Sequence, residues 1–207
     1  MIFGLPIDLL LMRATALLVV VAAHGYAVAL AAGRLGDDGP RAERRLTPNA
    51  LRHLDPIGVP AFVFSGGYGW IRQIMIDTDR LRFGRPSLVL VVLAGTAAAL
   101  AASLLAVLLR MPIANAAGWE IVAEMLEVIA STGIAFALFN LVPLPPITGG
   151  LLLAAVAPGL YRWFAERALL PALLIAILLA AGVIQGWLDP IVAEILAALP
   201  GSPAGGT

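Results

Sequence analysis

LLLMRATALLVVVAAHGYAVALAA, residues 9–32, decides what kind of chain this is. As a helix rising about 1.5 Å per residue, the stretch exceeds the roughly 30 Å hydrocarbon core of a bilayer. It carries a single charge, Arg13, and a single imidazole, His24. A polar ring at that depth must turn toward protein and find a partner, because leaving it bare in hydrocarbon is costly. That partner is expected on a neighbouring helix.

The rest of the chain has the same character. Of its 207 residues, 61% are hydrophobic and 13% charged, against about half and about a quarter in soluble domains. The reading is an all-α polytopic membrane protein, a bundle of about four to six transmembrane or re-entrant helices. Residues 87–109 and 119–141 form two further clean spans, and 169–188 forms the last. Residues 148–160 are apolar but short, as for a half-length helix. One integral membrane domain is expected over residues 1–207: a core at about 9–160, an extra C-terminal helix at about 169–188, and a short amphipathic, flexible tail at 189–207. Residues 1–6 lack a basic region, so no cleaved signal is expected.

Between the first two spans lies a polar segment, 34–54, followed by the glycine-rich apolar stretch 56–76. Thr47-Pro48 and Asp55-Pro56 each read as a helix cap followed by proline in the first turn. Stretch 56–76 is a poor simple span and suits a re-entrant or broken helix, which needs protein around it. Arginines flank it on both sides: Arg34, Arg41, Arg44, Arg45 and Arg52 before, and Arg72, Arg80, Arg82 and Arg85 after. The positive-inside tendency puts both flanks in the cytoplasm and the N-terminus outside. Four full crossings and two partial ones follow.

Cysteine is absent, which removes disulfides and thiolate metal sites. All 13 basic residues are arginine, a sign of a GC-rich, bacterial source. A net charge of zero gives nucleic acid no footing. Glu120, Glu124 and Glu127 share a helix face, and acidic residues near a helix start usually complement its positive end. Glu127 lies deepest.

Several motifs in order resemble the site-2-protease family of intramembrane zinc metalloproteases, in its compact bacterial branch without a PDZ domain. They are His24, Gly36-Asp37, Leu51-Arg52-His53-Leu54-Asp55-Pro56-Ile57-Gly58, Ala94-Gly95, and the run from Asn140 to Gly150, NLVPLPPITGG. The resemblance covers roughly residues 14–158. It implies a first span carrying H-E-x-x-H and a later span supplying an aspartate as third zinc ligand. The histidines bind the metal and the glutamate serves as general base. Here the degenerate site reads His24, Gly25 for the base, Val28 for the second histidine, and Thr148 for the aspartate. By the same resemblance, Asn140, Pro143, Pro145 and Pro146 form a groove for a peptide or helix.

One ligand in three leaves no zinc expected as cofactor and no catalytic residue. The expected function is therefore association. A non-catalytic site-2-protease-like protein of the bacterial inner membrane would contact lipid and another integral membrane protein, as an accessory subunit or a binder of a transmembrane helix. One alternative is an active metalloprotease with atypical ligands, pairing His24 with His53. Against it, His53 belongs to the polar cytoplasmic segment. Another is a small transporter or ion pathway lined by His24, Glu127 and Asn140, although no internal repeat is visible.

Overall fold

The first apolar run folds into one unbroken helix, α1 (Ile7–Arg34), in a computed structural model that describes residues 5–200. Ala16, Val20, His24, Val28 and Ala32 are each no more than 1% exposed. Their spacing of four lines one helix face. Leu11, Leu18 and Val19 face outward.

That buried face packs on α4 (Ser87–Arg110) and α5 (Glu120–Phe139). Helix α4 turns Gly95, Thr96, Ala99, Ser103 and Ala106 inward, while Leu93, Leu100, Leu104 and Leu108 face out. Lipid tails are as apolar as leucine, so helices associate in a membrane through close contact between small residues. Gly133 of α5 lies so near Ser103 that a β-carbon there would overlap its hydroxyl. These three helices are long and apolar enough to cross a membrane.

The polar segment between α1 and α4 is folded. It contains α2 (Gly39–Ala42), a 3₁₀ turn (Ala50–Arg52) started by the Asn49 side chain, and α3 (Gly58–Ser65). Asp55 starts α3 by accepting the Ile57 and Gly58 N–H groups at 2.9 and 2.8 Å. Gly66, with φ of 88°, ends it. There the Arg13 guanidinium donates to the Val63 and Phe64 carbonyls at 3.2 and 3.5 Å, placing a cation at the negative end of the short helix.

The chain then reverses and returns extended toward the end of α1, where the Arg82 N–H donates to the Leu35 carbonyl at 2.7 Å. Stretch 56–76 is thus a hairpin, helical in its first arm and extended in its second. Its extended arm forms one bridge, between Leu54 and Ile71. Otherwise a buried guanidinium serves it: Arg45, 2% exposed, donates to the carbonyls of Arg72 and Gln73 at 2.6 and 3.0 Å.

After α5 come α6 (Gly150–Val156), α7 (Pro158–Ala165), α8 (Leu169–Ala180) and α9 (Val183–Ala198). The sequence suggests a single helix over 169–188, but two helices occupy this region. Gly182 adopts φ of 73°, a left-handed conformation that glycine takes without strain, and the chain folds back. Helix α9 then continues through Pro190 into the segment read as a tail, burying Val192 beside Ile134 and Phe139 of α5. The Tyr68 hydroxyl donates to Asp189 at 2.5 Å and ties α9 to the 56–76 hairpin. The flexible end expected at 201–207 lies outside the described residues.

Helices α7 and α8 meet at 82°, so the described residues hold three spanning helices, or four if that bent pair crosses as one. The upper figure equals the four full crossings read from the arginine pattern. Helix α8 is only 12 residues long, about 18 Å, and cannot cross alone.

Candidate functional site

At mid-depth α1 presents His24 to the chain reversal that follows α5. His24 is fully buried, and its Nε2 lies 3.0 Å from the Thr148 hydroxyl, a contact across 124 residues of sequence. Its Nδ1 sits against the Gly95 backbone of α4, outside hydrogen-bonding geometry. Phe136 of α5 meets the ring edge-on, with centroids 5.0 Å apart at 87°.

Thr148 is positioned in turn by Asn140. The Thr148 N–H donates to Asn140 Oδ1 at 3.4 Å, while Asn140 Nδ2 donates to the Gly69 and Phe136 carbonyls, both at 2.9 Å. One polar chain thereby joins α1, the end of α5, the 141–149 turn and the extended arm of the 56–76 hairpin. The turn is tight. Gly150 lies so close to Pro145 that a β-carbon would fall 2.8 Å from the proline nitrogen. Asn140, Pro145 and Pro146 are buried, whereas Pro143 is exposed. A cavity of about 10 Å³ adjoins Thr148, Val28 and Pro146, room for about one water. Tyr161 borders it, and its hydroxyl accepts from Gln73 Nε2 at 2.7 Å.

The other two family positions hold no polar atoms. Val28 belongs to an apolar cluster with Ile74, Val91 and Leu151, and Gly25 lies under an imidazole. A β-carbon on Gly25 would come within 2.6 Å of His53 Nδ1 and 2.8 Å of His53 Cβ. His53 therefore reaches α1 from the polar segment, which removes the positional objection to pairing it with His24. A carbonyl can only accept, so His53 Nε2 carries the proton and donates to Thr47 at 2.9 Å. Nδ1 keeps its lone pair and has no hydrogen-bond partner. Burial depresses the His53 pKa; the Thr47 bond opposes this, and the Arg45 charge adds to it.

A relative of known sequence bears on the motif resemblance. A Bacillus subtilis (strain 168) protein named "Putative zinc metalloprotease YwhC" is 31% identical over 160 residues, which cover 74% of this chain and 72% of that protein. The chain belongs to the site-2-protease-like family. No protein-family model matches it, and neither does any solved structure.

The zinc in that relative's name is a test for this member of the site-2-protease-like family, and the residues here do not fit the ion. Structural and catalytic zinc sites take at least three protein ligands. His24 offers one nitrogen already engaged by Thr148, and Gly25 and Val28 offer nothing. Among the described residues, no three His, Cys, Asp or Glu side chains come together to hold a metal.

Glu127 lies elsewhere, bonded to Arg110 at 3.0 Å across the α4–α5 end. It is not joined to His24 or Asn140 in any polar route. Sequence reasoning missed the place of His53. Its only trace was Gly25, the one position on that helix turn without a side chain to exclude a ring.

Proposed function

We propose that this protein works by association and not by peptide hydrolysis, as a non-catalytic member of its family in the bacterial inner membrane. It holds a transmembrane helix of another integral membrane protein, or serves as an accessory subunit in a membrane complex, without resident zinc. The observation that carries this reading is the His24–Thr148 bond. The retained imidazole is spent on a neutral hydroxyl, and the two neighbouring family positions are filled by an apolar cluster and a ring. What remains is an internally bonded site with room for about one water, and a partner segment would seat on its exposed rim at Pro143 and not inside it.

The test is purification of the full chain in lipid nanodiscs, with a photo-crosslinker at exposed Pro143. A single integral membrane protein, crosslinked at that position in fixed ratio, is the expected result. An isolated, uncrosslinked monomer under gentle lipid conditions contradicts the reading.

One observation favours a second reading, an atypical metalloprotease: His53 Nδ1 is unpartnered at Gly25, on the turn of α1 that carries His24. It requires bound zinc lost equally on His24→Ala and His53→Ala.

A further inference from the structure

An open cavity of about 610 Å³ lies beyond the C-terminal end of α1, lined by Asp37, Asp38, Glu43, Asp77, Arg80 and Tyr161, with Met75 and Ile76 along one wall. Four carboxylates line it; Asp77 is bound to Arg80 at 3.1 Å and Glu43 lies 3.7 Å from Arg45, which leaves Asp37 and Asp38 without an ion pair among the described residues. Asp37 is the unusual member. It is 2% exposed, its Oδ1 accepts the Gly39 N–H at 3.0 Å, and its Oδ2 has no hydrogen-bond partner.

Its backbone sharpens the case. The Asp37 N–H donates to the Ala32 carbonyl at 3.0 Å, so the carboxylate sits just beyond the C-terminal end of α1, where the helix dipole is negative. A buried carboxylate oxygen without a donor is costly, and here the helix end adds to the repulsion. A cation joining it would relieve both.

The dimensions select the kind of cation. A compact ion draws its oxygens in to about 2.3–2.6 Å, whereas this vestibule is wide and carries an apolar wall. Met75 and Ile76 suit the methylene stem of a long basic side chain whose head reaches the carboxylates. The vestibule also opens within the arginine-rich segment 34–85, the end at which membrane proteins concentrate their own flanking arginine and lysine.

We infer that this vestibule binds the arginine or lysine side chain flanking a partner's transmembrane helix. The assignment rests on the helix-binding function proposed above and supplies its specificity. The same chemistry explains why an acidic pocket persists within an otherwise basic segment.

The test uses the full chain in lipid nanodiscs and two fluorescent peptides. Each is a leucine-alanine helix of about 20 residues, one flanked by Arg-Arg and the other by Gln-Gln. The Arg-flanked peptide should bind about tenfold more tightly, as one charge-assisted hydrogen bond allows. Asp37→Asn keeps an oxygen for Gly39 but no charge, and should abolish the preference while leaving the Gln-flanked peptide unaffected. Asp38→Asn with Glu43→Gln, both at the cavity surface, should weaken the preference without touching the buried position. Equal binding of both peptides, or a preference that survives all three substitutions, overturns the vestibule assignment alone. Saturable calcium binding in the absence of peptide, lost in Asp37→Asn, would assign the site to a divalent ion and also overturn it. If neither peptide binds, the helix-binding function itself fails.

Discussion

The His53 imidazole covers the α-carbon of Gly25, so that a β-carbon on that glycine would approach Nδ1 to 2.6 Å. Helix propensity alone favours alanine over glycine by about 1 kcal/mol, while overpacking of this kind costs about 1–3 kcal/mol. Gly25→Ala should therefore destabilise the protein, and in a His53→Ala background the same change should become stabilising. A double-mutant cycle by thermal unfolding in detergent reads the sign reversal. Additive effects would separate the two residues.

Thr148→Val keeps the volume near His24 but removes its hydrogen-bond partner. Leaving a buried polar group bare costs about 1–3 kcal/mol, so Thr148→Val should lower stability by that amount. Paired with His24→Phe, the loss should shrink, since no orphaned nitrogen would remain. Equilibrium unfolding of the four proteins tests this, and an unchanged Thr148→Val would show the contact to be idle.

How far the sequence discloses this arrangement depends on how local each signal is. Helices α1 and α4 are legible because a long apolar run has few alternatives in a membrane. The hairpin at 56–76 is legible from Asp55-Pro56 and the glycines at 66, 67 and 69. The break at Gly182 is not, because residues 169–188 are apolar apart from Gln185 and a capping glycine there reads like a helical one. Helix α9 holds its place through Tyr68–Asp189, across 121 residues. The His24–Thr148 pairing is legible only through the family resemblance, which sets Thr148 at the third ligand position and leaves Asn140 as an alternative partner. The seat of His53 does not, since it arises from how the polar segment folds back on α1.

His53 also predicts a pH dependence. Burial lowers its folded-state pKa below the ordinary 6.5, so the unfolded chain binds the proton more readily. Stability is then fully present above about pH 6.5 and falls as the pH drops through that value toward the depressed one. Thermal unfolding between neutral and acidic pH should show this decline, reduced in His53→Gln. A decline of equal size in that variant would remove His53 as its source.

Glu127 and Arg110 form a partly exposed pair, and pairs of that kind contribute at most about 1 kcal/mol. Glu127→Gln should change stability by no more than that and should leave proteoliposome ion flux at the level of the unmodified protein. Flux present in the native chain and abolished by this substitution would revive the ion-pathway alternative.

The central claim is that His24 is committed to Thr148 and holds no metal. Zinc per polypeptide, measured on the full chain purified in lipid nanodiscs without chelators, tests it most directly. The account predicts zinc far below one ion per chain, unchanged by His24→Ala. One zinc ion per chain, lost on that substitution, would contradict it.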